Sequence, residues 1–114
     1  MKDDRVYLHH ILEHIQHIEE DTAEGREAFM SSRRSRDAVL RNLHTLTEST
    51  QRLSNTVKDA HPEVAWREIS AFRNIIVHDY LAVDAGLIWD VVERDIPRLQ
   101  TQIRMILEEL GDPT

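Results

Sequence analysis

Residues 66–80 read WREISAFRNIIVHDY, and their side chains fall into two separate stripes. On a helix, which turns about 100° per residue, Phe72 and Ile76 lie within about 40° of each other on an apolar side. Asn74 and His78 lie about 160° away from Ile76, on a polar side. This pattern predicts an amphipathic helix that packs by its apolar side and keeps the polar side chains outside the core.

The same apolar spacing continues on both sides of this helix. It predicts longer helices over residues 4–20, 37–60 and 85–110, and a short helical piece at residues 28–30. Together with the helix that begins at Pro62, these are four substantial helices with short connections, as is typical of a bundle. The predicted fold class is therefore all-α: an antiparallel four-helix-type bundle with an additional short helix, in a single domain over residues 1–114.

Several positions are expected to set the helix boundaries. Residues 31–35, rich in serine and arginine, interrupt the helical pattern, and His61 is disfavoured in a helix because a proline follows it. Pro62 suits the first turn of the next helix. Asp84 is expected to cap the last helix, and Pro97 to kink it.

The composition fits one compact soluble domain. Of the 114 residues, 40% are hydrophobic and 31% are charged, whereas disordered chains are poorer in apolar residues. Without cysteine the chain has no disulfide, no thiolate metal site and no cysteine nucleophile, and a reducing cytoplasm is its simplest location. The sequence shows no signal-peptide pattern and no stretch of about 20 apolar residues, so we expect neither secretion nor a membrane span.

The charge is unevenly distributed along the chain. The net charge is −7, yet residues 25–60 carry a local excess of positive charge, and 12 of the 14 basic residues are arginines. Arg33, Arg34 and Arg36 lie close together within this segment. Arginine suits forked contacts with phosphate or carboxylate, although these residues could equally belong to a solvated loop without a specific role.

Arg73, Asn74 and His78 combine a permanent cation, a side-chain amide and an imidazole that exchanges protons near neutral pH. These groups can move a proton beside a phosphate, although surface helices also carry such residues without a function. Arg73 and His78 are separated by about 140° around the helix and about 7.5 Å along it, so one copy would hold a single phosphate poorly. A two-fold related copy would supply a second arginine and histidine.

A different possibility is a zinc site on the first helix. His10 and His14 have the spacing of two ligands on one helix face, and further histidines lie at positions 9 and 17. No further ligand set is evident, so a helix with surface histidines is the alternative. Trp66 and Trp89 are interpreted as core or interface aromatics.

Arg73, His78 and Tyr80 match the Arg-x4-His-x-Tyr motif of HEPN domains of the HepT type, the minimal ribonuclease toxins of bacterial and archaeal toxin–antitoxin pairs. Residues 62–69 resemble the segment that leads into the motif in this family, and residues 83–97 resemble the helix that follows it.

The resemblance extends over about residues 43–100. It departs at Thr47-Glu48-Ser49, where similar proteins have a Gly-Glu-Ala run. The acidic residue is kept, whereas the two small residues beside it are exchanged.

The resemblance implies a homodimer of HEPN bundles with two copies of Arg73 and His78 in one cleft. His78 would act as general base or acid while the RNA 2′-hydroxyl attacks the adjacent phosphodiester, and Arg73 would stabilise the developing charge. Asn74 would orient the site or the substrate, and no metal would be required. Arg33, Arg34 and Arg36 become candidates for contacts with RNA or a partner.

The resemblance also implies regulation by a partner. The cognate antitoxin would be a nucleotidyltransferase of the MNT type that transfers AMP from ATP to Tyr80, so the chain itself would need no cofactor. An AMP group would add negative charge beside the cleft and oppose RNA entry. The alternative is a non-catalytic HEPN module that binds a nucleotide or a protein partner.

Overall fold

The regular secondary structure of this protein, in the residues that the structure describes, is helical. The computed structural model describes residues 3–79, 81 and 83–111, and no strand occurs among them. The helices are α1 (Asp4–Asp21), α2 (Arg26–Ser31), α3 (Arg33–Gln51), α4 (Asn55–Ala60), α5 (Trp66–Asp79), α6 (Ala85–Asp90) and α7 (Ile96–Glu109), with a π-helical segment (Val91–Asp95) between α6 and α7. The predicted all-α fold class is confirmed.

The long helices pack side by side in antiparallel directions. Asp4 at the start of α1 accepts hydrogen bonds from the backbone N and the Oγ of Ser54, at 2.8 and 2.7 Å, just beyond the end of α3. Further along the pair, His14 Nδ1 lies 2.8 Å from Asn42 Oδ1. Because residues late in α1 meet earlier residues of α3, the two helices run in opposite directions.

The core lies between α1, α3 and α7. The apolar stripe of α1 is fully buried, and it meets buried residues of α3 and α7. The least exposed hydrophobic side chains of these three helices are Leu8, Ile11, Ile15, Ile18, Val39, Leu43, Ile103, Ile106 and Leu107. At one end, Phe29 of α2 packs against Trp89 of α6, with ring centroids 5.4 Å apart. Removal of apolar surface from water by these stripes is the main source of stability.

Helix α5 lies at the edge of the bundle and packs chiefly against α3. Of its 14 residues, all of them described, Ile76 alone is buried. The partly buried Trp66, Ile69 and Phe72 complete its contact with the core. The opposite side of α5 is therefore free to carry polar side chains at the surface.

The prediction of one helix over residues 37–60 is wrong in two respects. The helix begins earlier than predicted, and two helices, α3 and α4, occupy this segment. Helix α3 begins at Arg33, because Ser32 Oγ accepts a hydrogen bond from the backbone N of Ser35 at 3.1 Å and caps the helix. It ends at Gln51. A second cap, Ser54, accepts from the backbone N of Val57 at 3.2 Å and starts α4. Ser32, in the segment that was expected to interrupt the helical pattern, caps α3, and Ser54, which lay inside the predicted helix, caps α4.

The predicted start of a helix at Pro62 is also wrong. Residues 62–65 form turns, and α5 begins at Trp66. The Trp66 indole donates to the backbone oxygen of His61 at 2.9 Å, and the backbone N of Trp66 donates to Val64 O at 2.8 Å. These contacts close the turn and delay the helix by one turn relative to the prediction.

The last helix was predicted to kink at Pro97, and the structure has a π-helical segment just before that residue. Ile96 N donates to Val91 O across the widened turn, and Pro97 lies in the first turn of α7. A proline ring would collide with the carbonyl four residues earlier in a regular helix, and a widened turn relieves that collision. Asp84 occupies the predicted cap position, but its side chain makes no capping hydrogen bond.

None of the described helices combines the length and the apolar character that a membrane span requires.

Candidate active site

Arg73 is held in place from two directions. Its Nε donates to Glu48 Oε1 of α3, and its Nη1 donates to Asn74 Oδ1 at 3.1 Å. The side chain is 29% exposed. Within the described part of the chain, no acceptor is bonded to Nη2, so the guanidinium is oriented by two partners and keeps donors for an anion.

Glu48 is the residue of the candidate site that the sequence prediction missed. It accepts the hydrogen bond from Arg73 and also lies 3.6 Å from His44 Nε2, one turn earlier in α3. The contact joins positions 25 residues apart, so no local spacing could predict it. The available signal was that the acidic residue is kept where the Thr47-Glu48-Ser49 run departs from similar proteins.

The local sequence of α3 places Glu48 at the surface beside α5. Thr47, Ser49 and Thr50 around it are buried. The hydroxyls of Thr47 and Thr50 donate to the backbone oxygens of His44 and Thr47, at 2.9 and 2.6 Å. Because these hydroxyls are satisfied within α3 itself, the helix can bury them and leave the Glu48 carboxylate to Arg73.

The hydrogen bond from Arg73 lowers the pKa of the Glu48 carboxyl, and the positive charges of Arg73, His44 and Arg52 act in the same direction against the effect of burial. Glu48 is therefore a carboxylate at neutral pH, and it balances part of the charge of Arg73.

We expect Glu48→Gln to lower the free energy of unfolding near neutral pH by less than about 1 kcal/mol, since the pair is partly exposed. The loss should shrink in acid. A carboxyl whose pKa is lower in the folded state stabilises the protein above the ordinary value of 4.5, and this contribution disappears as the pH falls through the folded-state value.

Urea unfolding at about pH 6 and about pH 3, followed by circular dichroism, measures this effect. Glu108→Gln, at an exposed position of α7, is the matched control. A deficit in Glu48→Gln that is equal at both pH values would contradict a stabilising carboxylate.

Asn74 and His78 lie on the outer side of α5. Both are exposed, and they are one helical turn apart. No described residue forms a hydrogen bond or ion pair with the His78 imidazole, whereas Asn74 bonds Arg73 directly. The structure thus places the three predicted residues on α5 outside the core, with the partly exposed Arg73 next to Asn74 and the exposed His78 in the last turn of the helix.

Tyr80 lies outside the described residues, so its predicted role stays a prediction. The described neighbours show that α5 ends at Asp79 and that Leu81 is 85% exposed.

Arg33, Arg34 and Arg36 lie in the first turn of α3, not in a loop. Arg33 Nε is 3.7 Å from the Asp37 carboxylate, and Arg36 Nη1 donates to Met30 O at 2.5 Å, which ties α3 to α2. These arginines precede Glu48 by 12 to 15 residues, or about 18–23 Å of helix. The structure does not bring them together with Arg73.

The histidines of α1 are not assembled into a metal site. His14 pairs with Asn42 and lies edge-on to His17, with ring centroids 5.4 Å apart. Among the described residues, no group of three or more His, Asp or Glu side chains is arranged to hold a metal ion. The alternative of surface histidines is the better description of this helix.

The fold and the site define an all-α bundle with an oriented arginine and an exposed histidine on one outer helix. Residues 11–106 match the model of the ribonuclease HepT-like family. The chain therefore belongs to this family, as its resemblance to HepT-type HEPN domains predicted.

Individual relatives agree with the family. A Methanocaldococcus jannaschii protein named "Gamma-glutamylcyclotransferase and putative RNase" is 39% identical over 110 residues, which is 96% of this chain and 50% of that protein. "Probable ribonuclease HepT" from Thermococcus cleftensis is 38% identical over 95 residues, or 82% of this chain and 86% of its own. A "Putative RNase" from Caldanaerobacter subterraneus subsp. tengcongensis is 31% identical over 110 residues, 96% of this chain and 98% of its own.

This chain spans half the length of the first of these relatives. No solved structure matches the chain at a significant level.

Proposed function

We propose that this chain is the toxin of a toxin–antitoxin pair and acts as a metal-independent RNA endonuclease through Arg73, Asn74 and His78. The observation that carries the proposal is the guanidinium of Arg73, fixed by Glu48 and Asn74 on the same helix as the exposed His78. Membership of the ribonuclease HepT-like family supports RNA as the substrate.

The proposed reaction needs only groups of the protein and of the RNA. The imidazole of His78 takes the proton of the 2′-hydroxyl as that oxygen attacks the neighbouring phosphorus. Arg73 stabilises the negative charge that accumulates on the non-bridging oxygens, with Asn74 holding its orientation. The bond from phosphorus to the 5′-oxygen then breaks, and that oxygen accepts a proton. The products are a 2′,3′-cyclic phosphate and a 5′-hydroxyl.

A second copy of the chain would complete the site. In one copy α5 offers a single imidazole, that of His78, whereas the reaction uses a base for the 2′-hydroxyl and an acid for the 5′-oxygen. Exposed apolar side chains on α5 support burial against another protein surface: Ile75 is 44% exposed and Val77 is 38% exposed. In the proposed homodimer, two copies of Arg73 and His78 face one cleft.

We expect sedimentation of the purified protein at micromolar concentration to give a dimer. Val77→Asp should shift the equilibrium towards monomer, since it places a charge in the proposed interface. Met105→Asp, at an exposed apolar position of α7, is the control. A wild-type protein that cleaves RNA while sedimenting only as a monomer would disprove the shared cleft.

The proposed regulation acts on Tyr80. A cognate MNT-type nucleotidyltransferase binds ATP, the phenol oxygen of Tyr80 attacks the α-phosphorus, and pyrophosphate leaves. The product carries AMP on the residue that follows α5. Its negative charge and bulk near Arg73 and His78 oppose the entry of an RNA backbone. In this scheme ATP is consumed by the partner, and the toxin has no cofactor of its own.

Cleavage of a labelled RNA in the presence of excess EDTA tests the proposed activity. We expect the rate to be unchanged, because His78 and Arg73 supply the acid–base and charge-stabilising groups. Loss of activity with EDTA and recovery with a divalent cation would contradict the mechanism. Binding of RNA without cleavage under any condition would favour the non-catalytic HEPN module instead.

A further inference from the structure

The outer side of α3 and α5 carries several exposed arginines although the chain is acidic. The net charge of the chain is −7. Arg41 of α3 and Arg52, the residue that follows α3, lie within about 40° of Glu48, which bonds Arg73. On α5, Arg67 lies within about 20° of Asn74. We call Arg41, Arg52 and Arg67 the flanking arginines.

The flanking arginines are distributed on both sides of Arg73. Glu48 bonds Arg73 and Gln51 bonds Ser70, so α3 and α5 run in opposite directions. The chain after Gln51, with Arg52, therefore lies towards the start of α5, where Arg67 is located. Arg41 precedes Glu48 by about 10 Å of helix and lies towards the other end, where α5 reaches His78. The three arginines therefore extend over about 16 Å of surface, with Arg73 between them.

These side chains are available for a ligand. All three arginines are exposed, and none of them forms a side-chain ion pair or hydrogen bond with a residue that the structure describes. Arg33 and Arg36 differ, because Asp37 and the Met30 carbonyl already occupy them. Unpaired guanidinium groups on an acidic protein favour binding of a polyanion.

The remaining side chains of this surface favour an RNA backbone as that polyanion. Gln51, Ser70 and Asn74 lie among the arginines and offer hydrogen bonds. Phosphate and sugar contacts are made by such a mixture of arginine and neutral polar residues.

We propose that Arg41, Arg52 and Arg67 bind phosphates of an RNA strand on both sides of the phosphate at Arg73 and His78. This inference rests on the proposed function, since it assigns how that site holds its substrate. It also moves the RNA contacts away from Arg33 and Arg36, which already have partners within the chain. Contacts with several phosphates of the strand add to the affinity for RNA, because Arg73 alone binds a single phosphate weakly.

The test is binding of a labelled single-stranded 2′-O-methyl RNA, which lacks the attacking hydroxyl and stays intact during the measurement. Affinity is measured for the wild type, for Arg41→Gln, Arg52→Gln and Arg67→Gln, and for the control Arg104→Gln on the exposed surface of α7, between about 50 and 200 mM salt. Each flanking substitution should weaken binding about 3- to 10-fold and reduce the salt slope by about 0.7. Arg104→Gln should do neither.

Flanking variants that bind RNA like the Arg104→Gln control would overturn this inference. If the wild type still cleaves unmodified RNA, the proposed function survives that result. Weaker binding of the antitoxin with unchanged RNA affinity would also overturn it, and would assign the surface to a protein. A wild type that neither binds nor cleaves any RNA would defeat both proposals together.

Discussion

His78→Ala and Arg73→Ala are each expected to lower the rate of RNA cleavage at least about 100-fold, in line with the usual contribution of a positioned acid–base group or charge-stabilising donor. Growth inhibition in cells should disappear with the activity. Both changes should leave the fold intact, because Ile76 anchors α5 while His78 is exposed and Arg73 lies at the edge of the α3 contact.

The measurement pairs initial cleavage rates with helical circular dichroism and thermal unfolding. His17→Ala on α1 and Arg104→Ala on α7 are matched controls that remove the same side chains elsewhere. A folded His78→Ala protein with the wild-type rate would remove this residue from the chemistry. Loss of helical signal would instead assign the mutated residue to structure.

Tyr80→Phe is expected to remain fully toxic when the cognate antitoxin is coexpressed, whereas the wild type is neutralised. The substitution removes the only atom of this side chain that can accept AMP and changes little else. The chain has two tyrosines, so Tyr7→Phe is a direct control and should still be neutralised.

Mass spectrometry of the coexpressed wild type should find AMP on the peptide that contains Tyr80 and not on the one that contains Tyr7. Complete neutralisation of Tyr80→Phe would show that the antitoxin inhibits by binding alone.

The helical bundle was predictable because the apolar repeat that marks the buried side of each helix lies within the sequence of that helix. The apolar stripe of α1 repeats through Leu8, Ile11, Ile15 and Ile18, and all four are buried. The polar stripe of α5 followed from the same geometry. Such periodicity reports which side of a helix faces the core, whatever it packs against.

The helix ends were harder, because a few hydrogen bonds decide them. Ser32 and Ser54 both cap helices, but a serine between two apolar runs is also typical of a loop. Ser54 is held in addition by Asp4, from 50 residues away. That contact separates α3 from α4, and it exists only once α1 and α3 have packed together.

The candidate site could be predicted only in part, for the same reason. Asn74 and Arg73 are neighbours in sequence, so their hydrogen bond is local. Glu48 reaches Arg73 from another helix, and only the packing of α5 on α3 reveals it. The flanking arginines likewise come from different parts of the chain, and only the packing of α5 against α3 shows that they lie on both sides of Arg73.

The ends of the RNA products test the central claim most directly. Wild-type protein is incubated with a defined RNA in EDTA, and the new termini are identified by mass spectrometry. The account predicts a 2′,3′-cyclic phosphate and a 5′-hydroxyl, because the 2′-oxygen attacks with help from His78 and Arg73. Products that carry a 3′-hydroxyl and a 5′-phosphate would contradict it, since they require water to attack the phosphorus in place of the 2′-hydroxyl.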